Sequence, residues 1–369
     1  MTDRSSLFQP TKLGNLELPN RVLMAPLTRN RSQDDGTPVE MAQTYYGQRA
    51  SAGLIFTEAT QVSAMGKGYI KTPGIYTQSH IDGWKKIVDS VHADGGRIFV
   101  QLWHVGRISH TSLLPDGRAP VSSTDKAAEA MTYTHNGFEP TSKPDALTIE
   151  GIRETIADFV TAAKAAKDAG FDGIEVHAAN GYLLEQFLMD GVNDRTDIYG
   201  GSPENRLRIL NEILDGVSAV WPTNRIGVRL SPLGQFNDVS DSDPETHFGY
   251  FIDELNKRGL GYLHMVEQAP GAETDPEQTD IMKRLRTKWT GFYIVNGGYD
   301  GDSAAQAVAG GHADAVAFGR AFIANPDLPK RLHLHASLNE GDGDTYYGGT
   351  EKGYIDYPYL DGSVSDKVA

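Results

Sequence analysis

From Phe171 to Phe187 the chain reads F-D-G-I-E-V-H-A-A-N-G-Y-L-L-E-Q-F, an alternating apolar run that ends in His177, Asn180 and Tyr182. Histidine and asparagine side chains can each donate a hydrogen bond to one oxygen, and two donors so aimed would polarise a carbonyl or nitro group. A tyrosine, with an ordinary pKa of about 10, can deliver a proton at neutral pH. The plain alternative is a structural histidine satisfied at a strand end. A metal reading lacks company, because no carboxylate or histidine stands at a ligand spacing from His177, and His104 and His110 form no ligand pair either.

Two further stretches point to a phosphate. N-G-G-Y, Asn296 to Tyr299, and F-G-R, Phe318 to Arg320, each follow an apolar run. Glycines let a backbone come close and offer N–H groups, and a guanidinium suits a dianion. In A-P-L-T-R, Ala25 to Arg29, the hydroxyl of Thr28 could donate to a ring carbonyl or close a local turn.

Strands are expected at 22–25, 54–57, 97–102, 173–177, 226–230, 262–266, 292–296 and 315–318. Helices are expected at 40–51, 80–93, 149–169, 203–220, 244–257 and 303–309. Eight strands alternating with helices indicate an α/β fold, a closed (β/α)8 TIM barrel, with a doubly wound sheet as the competitor. We expect one domain over residues 1–369. Residues 109–147, rich in Pro, Ser, Thr and Asp, read as an elaborated loop after strand 3, and residues 267–280 as a second, acidic insertion: a solvated loop or a lid.

Alternation also sorts the strand faces. Ile98, Val100 and Leu102 share one face, as do Ile174 with Val176, and Ile226, Val228 with Leu230; these suit packing against helices. Gln101, His177 and Arg229 then point to the barrel axis near the carboxyl ends. Buried polar groups need partners, and a bound polar ligand is the simplest one.

Composition narrows the field. The 369 residues are 39% hydrophobic and 22% charged, enough for a large core. A formal charge of -15 disfavours nucleic acid and anionic membranes as partners. The absence of cysteine excludes disulfides, thiolate zinc sites and cysteine-ligated iron–sulfur clusters. No apolar h-region opens the chain, and no apolar run reaches the roughly 18 residues of a membrane span, so a cytoplasmic location is expected.

The chain resembles the Old Yellow Enzyme family of FMN-dependent ene-reductases, in particular its bacterial branch acting on N-ethylmaleimide and nitrate esters. The resemblance runs from Leu7-Phe8 to about Asp361. It rests on P-N-R-V-L-M-A-P-L-T-R, Q-R-A-S-A-G-L-I-F-T-E-A-T, Q-L-W-H-V-G-R, H-A-A-N-G-Y-L-L-E-Q-F, D-I-Y-G-G-S-P-E-N-R and F-G-R-A-F-I-A-N-P-D-L, in that order.

The resemblance implies a barrel with non-covalent FMN at its carboxyl face and a short amino-terminal cap over the other end. Pro26, Leu27 and Thr28 would line the flavin, Ala59 would lie against it, Gln101 would bond its pyrimidine edge and Arg229 its N1 and O2. Gly298, Gly319 and Arg320 would hold the phosphate. NADPH or NADH would be the reductant in a ping-pong cycle whose second substrate is an α,β-unsaturated carbonyl, a maleimide, a nitroalkene or a nitrate ester. His177 and Asn180 would bind that substrate's oxygen and Tyr182 would protonate Cα, giving trans addition. Tyr69, Trp103 and Tyr347 would be substrate-side walls. The segment V-E-Q-A-P-G lacks the tryptophan some relatives carry there, and the position of Asn180 is histidine in other members. Two other readings compete. A phosphate-sugar aldolase or isomerase barrel needs a strand-end lysine or glutamate, and only Glu58 and Glu175 come near. A non-catalytic flavin-binding protein would not oxidise the nicotinamide.

Overall fold

The computed structural model describes residues 2–267 and 275–364. Eight strands form the central ring: β1 Val22–Met24, β2 Ile55–Phe56, β3 Ile98–Trp103, β4 Gly173–Ala178, β5 Ile226–Leu230, β6 Tyr262–Val266, β7 Phe292–Asn296 and β8 Ala315–Phe318. Each pairs in parallel with its neighbour, and β8 returns to β1, so the sheet closes and the doubly wound alternative falls away. Parallel strands need crossovers, and helices supply them. Those used below are α1 Met41–Gly47, α2 Gln78–Ala93, α3 Ile149–Asp168, α4 Leu183–Leu188, α5 Pro203–Ser218, α6 Pro244–Asn256, α7 Pro276–Lys288, α8 Gly301–Ala309 and α9 Arg320–Ala324.

The two strand faces bury different partners, as alternation requires. Ile98, Val100, Ile174, Val176, Ile226 and Val228 share a cluster with Phe159, Leu207 and Leu210 of the outer helices. Inside the ring, Leu23, Phe56, Phe99, Tyr262 and Ile294 form a separate cluster. Leu13 and Leu18 join it from the antiparallel hairpin Thr11–Leu13/Leu16–Leu18, which plugs the amino-terminal end of the barrel. Interior packing is tight enough to dictate glycine at position 227, where an added Cβ would meet the Tyr262 ring at 2.0 Å. Gly227→Ala is therefore expected to cost about 1–3 kcal/mol by overpacking, read as a lower urea midpoint.

Helix starts follow local chemistry. Ser202 and Asp243 cap α5 and α6 by accepting from the N–H of Asn205 and Thr246, with proline next in each case. The same signal at Asp275-Pro276 opens α7, whose cap accepts from Glu277 N–H. This corrects the expectation of a loop through residue 280: residues 276–280 are helical, and residues 268–274 lie outside those described. The long segment after β3 is more ordered than a loop, with an antiparallel pair Met131–Thr134/Gly137–Pro140 and a short parallel pairing of Val121–Ser122 with Asp145–Ala146. Among the described residues no helix is long and apolar enough to cross a membrane.

Candidate active site

At the carboxyl end of the ring, register brings the polar strand residues side by side. Gln101 on β3 pairs with Glu175 on β4, His177 with Arg229 on β5, and Arg229 with His264 on β6. Gln101 Nε2 donates to Glu175 Oε1 at 2.8 Å, and His264 Nδ1 lies 2.9 Å from Glu175 Oε2. The Glu175 carboxyl stays below the usual range because His264, Arg229 and Gln101 outweigh its burial. Gln101 thus has one partner within the protein besides the ligand expected as its simplest partner, and its amide carbonyl is left for other use.

Arg229 is held by one bond, Nη2 to Asn296 Oδ1 at 2.8 Å, and Asn296 is fixed in turn by donating to Ala317 O. The guanidinium Nε is buried and has no hydrogen-bond partner among the described residues. A buried unpaired donor costs free energy, so this atom points to a missing acceptor.

His177 is 3% exposed. Burial, with Arg229 and His264 nearby, drives its pKa well below the ordinary value, so the ring is neutral at physiological pH. Its Nδ1 accepts from Ala179 N–H at 3.3 Å, which puts the remaining proton on Nε2. Asn180 sits in the left-handed region at φ 58°, which asparagine tolerates better than most residues. Its backbone is gripped at both ends: N–H donates to Ser231 Oγ at 2.8 Å, and C=O accepts from Asn237 Nδ2 at 2.9 Å. Neither His177 Nε2 nor the Asn180 amide group makes a hydrogen bond among the described residues.

Tyr182 places its ring 5.3 Å from that of His177, and its hydroxyl lies 3.2 Å from the Tyr69 hydroxyl. Burial raises its pKa above the ordinary value, so it keeps its proton across neutral pH. Trp103 packs edge-on against the Tyr182 ring at 5.1 Å and stacks on Tyr69 at 5.9 Å.

A cavity of about 1160 Å³ opens over this strand end. Pro26, Leu27 and Thr28 line it from β1, Asn180, Tyr182 and Arg229 from β4 and β5, and Gly298, Gly319 and Arg320 from the turns after β7 and β8. Tyr69 and Tyr347 line it as well. Four of the expected site residues lie behind this surface: Ala59, Gln101, Trp103 and His177 are all buried. Trp103, wholly enclosed with Ala59 and Val105, supports Tyr69 and Tyr182 from behind.

Some lining residues escaped the sequence reading. Met131, Tyr133 and Phe138 come from the hairpin after β3, Phe236 from the turn after β5, and Tyr346 from the carboxyl-terminal segment. Met131, Phe138, Phe236 and Tyr347 are exposed apolar groups at one mouth. Arg29 and Arg31 fix that segment: Arg29 Nε donates to Tyr346 O at 2.9 Å and Arg31 Nη2 to Thr345 O at 2.9 Å.

The donor set fits a flavin mononucleotide. The turn after β7 carries Gly297 and Gly298 at φ 150° and 78°, and a Cβ on Gly297 would meet Glu267 O at 1.9 Å. The Arg320 guanidinium makes no hydrogen bond or ion pair among the described residues, which leaves it for a phosphate. Thr28 and Arg229 Nε offer donors deeper in, where a polar ring would lie. The volume exceeds the roughly 300–1,000 Å³ of an ordinary ligand site, leaving room for a second molecule. Among the described residues, one histidine and carboxylate group is close enough for a metal, Asp190, Asp241 and His247. There Arg206 Nη1 already sits on Asp241 at 3.1 Å, and Ser242 on Asp190.

The chain is similar to known flavin oxidoreductases in sequence and fold. Residues 6–339 match the model of the NADH:flavin oxidoreductase / NADH oxidase family. The chain is 48% identical to 12-oxophytodienoate reductase 1 of Oryza sativa subsp. japonica, over 96% of this chain and 93% of that protein. Identity to 12-oxophytodienoate reductase 2 of Arabidopsis thaliana is 43%, over 97% and 96%. Among solved structures, morphinone reductase superposes with a TM-score of 0.92 at 49% identity, covering 96% of each chain. Its complex with tetrahydroNAD gives 0.91 at 49% identity, covering 96% of this chain and 98% of that one. The Old Yellow Enzyme homologue from Zymomonas mobilis gives 0.92 at 40% identity, covering 96% and 99%.

Proposed function

The chain belongs to the Old Yellow Enzyme family of NADH:flavin oxidoreductases, and from that premise we propose that it is an FMN-dependent ene-reductase for α,β-unsaturated carbonyl compounds. Maleimides and nitroalkenes fall within the same proposal, since each presents an oxygen conjugated to the reducible double bond, and nitrate esters are a further class to test. NADH is the reductant we favour, because a neighbouring structure is a complex with tetrahydroNAD; NADPH is the alternative. We infer one FMN-binding unit over residues 1–369, working in the cytoplasm. The single observation that carries the reading is the set of unspent donors, His177 Nε2–H and the Asn180 amide, beside a tyrosine that keeps its proton.

Bound FMN would supply hydride transfer from the nicotinamide to the alkene. Thr28 and Arg229 would hold its ring, Gln101 its pyrimidine edge, and Arg320 with the backbones of Gly298 and Gly319 its phosphate. His177 and Asn180 together hold the substrate oxygen. Because the imidazole is neutral and its tautomer fixed, it serves as a hydrogen-bond donor to the charge that grows on that oxygen. Tyr182 gives its proton to Cα, and Trp103 with Tyr69 holds the phenol ring in place. The exposed apolar mouth supports substrates whose enone carries a bulky apolar body.

The test is a titration of apoprotein with FMN, followed by rapid mixing of the holoenzyme under anaerobic conditions. NADH and NADPH are compared first, then 2-cyclohexenone, N-ethylmaleimide and a nitrostyrene. We expect stoichiometric uptake of FMN, bleaching by NADH and recovery of colour with cyclohexenone. Failure to take up FMN would sink the assignment, and bleaching by NADH without recovery would leave an NADH-reducible flavoprotein that is not an ene-reductase for this enone.

A further inference from the structure

Glu185 lies on α4, wholly buried, three residues beyond the proton donor. Its Oε1 accepts from Ser231 Oγ–H at 2.5 Å, and its Oε2 accepts from the backbone N–H of Gly181. Ser231 Oγ in turn accepts from Asn180 N–H. A continuous chain therefore runs from the carboxyl, through Ser231, to the left-handed backbone whose side chain lines the cavity.

We propose that Glu185 is a positioning residue for the substrate-oxygen clamp: its carboxylate fixes the backbone of Asn180 through Ser231 and Gly181, and its protonation loosens that grip. The inference rests on Asn180 being a donor to the substrate oxygen.

The hydrogen count gives the reason. As a carboxylate, Glu185 accepts from both neighbours and every proton in the chain has a place. A protonated carboxyl has one oxygen bearing hydrogen, which opposes the donor facing it. Ser231 could turn to accept that hydrogen, but its own would then lose its acceptor inside the protein. Either way one bond next to Asn180 weakens, and a left-handed non-glycine backbone persists only where its surroundings enforce it.

The charges around Glu185 are few. From β4 come His177, which is neutral, and Glu175, engaged with His264. From α5 comes Arg206, spent on Leu188 O and Asp241. Arg107 faces the neighbouring Gln186 through its backbone. Arg229 on β5 attracts the carboxylate, as do Ser231 and Gly181, yet burial prevails and pushes the carboxyl up to about 8. The switch thus falls where an enzyme assay can reach it, and His177 does not titrate there.

The experiment measures the affinity of oxidised holoenzyme for 2-cyclohexenone, a ligand that does not ionise, from about pH 6 to about pH 9.5. The readout is the perturbation of the flavin spectrum. Affinity is expected to rise several-fold as pH passes through about 8. Glu185→Gln should give the weaker affinity at every pH, because its amide nitrogen cannot accept from whichever of Gly181 and Ser231 it faces. Glu185→Asp should restore a pH step, and Ser231→Ala should flatten it while leaving the carboxyl in place. FMN affinity and reduction by NADH should be unchanged in all three. A full step surviving in Glu185→Gln or Ser231→Ala overturns the proposal, as does a flat profile in the parent enzyme. If cyclohexenone fails to perturb the parent at any pH, the ene-reductase reading fails first and takes this inference with it.

Discussion

Replacing Tyr182 with phenylalanine is expected to slow reoxidation of the reduced enzyme by 2-cyclohexenone by about 10²–10⁴-fold, the usual contribution of a positioned general acid. Reduction by NADH should change little, because that half-reaction asks nothing of the phenol proton. The substitution removes one oxygen and leaves the ring, which Trp103 and His177 pack edge-on at 5.1 Å and 5.3 Å. Folding should therefore be preserved, and the effect can be assigned to the hydroxyl. The Tyr69 hydroxyl, 3.2 Å from that of Tyr182, is the nearest substitute and sets the lower end of the range. The pH dependence carries a sign. Burial raises the Tyr182 pKa above its ordinary value, so the parent enzyme should keep its acid through neutral pH and lose it only in strongly alkaline solution. Rapid-mixing traces of the two half-reactions decide the matter: equal losses in both would mean that Tyr182 shapes the cavity rather than donating a proton.

The parts of this site that follow strand alternation are legible in the sequence. β5 to β8 begin and end where apolar alternation puts them. His177 and Arg229 each lie near the carboxyl end of such a run, and the register sets them opposite each other on neighbouring strands. What escaped has a common physical cause. Glu185 on α4 meets Ser231 just after β5, and Glu175 meets both Gln101 and His264, through contacts between elements that no local pattern encodes. A bound polar ligand is the simplest partner for Gln101 when the strand is read alone; the closed ring adds Glu175 from the next strand. α7 escaped for the opposite reason. Only Met282 and Leu285 are buried along it, so its apolar stripe is thin, and the cap at Asp275 sits among residues that read as a loop. Trp103 shows the limit of a purely local reading: expected as a substrate-side wall, it is enclosed with Ala59 after β2 and Val105 after β3, and so becomes a support for Tyr69 and Tyr182.

Removing the other end of the reaction should cost as much. For His177→Ala we expect a loss of about 10²–10³ in the rate of enone reduction, the usual price of one oxyanion donor. Asn180→Ala should fall in the same range, and the double substitution should cost less than the product of the two, because both donors serve one oxygen. Binding of a phenol such as p-hydroxybenzaldehyde to oxidised holoenzyme offers a second readout, since the phenolate would occupy the same donors. Its long-wavelength absorbance should weaken in both variants. The parent should show no loss of enone affinity from His177 protonation between about pH 6 and about pH 7. Its pKa is held well below that window by burial and by Arg229, so the imidazole gains a second proton only in more acid solution. If enone affinity in the parent instead falls along a curve centred near the ordinary histidine value, and His177→Ala abolishes that curve, the imidazole is charged in the working enzyme. The clamp would then attract oxyanions by charge, and the neutral-donor account would have to be abandoned even though the residue assignment survived.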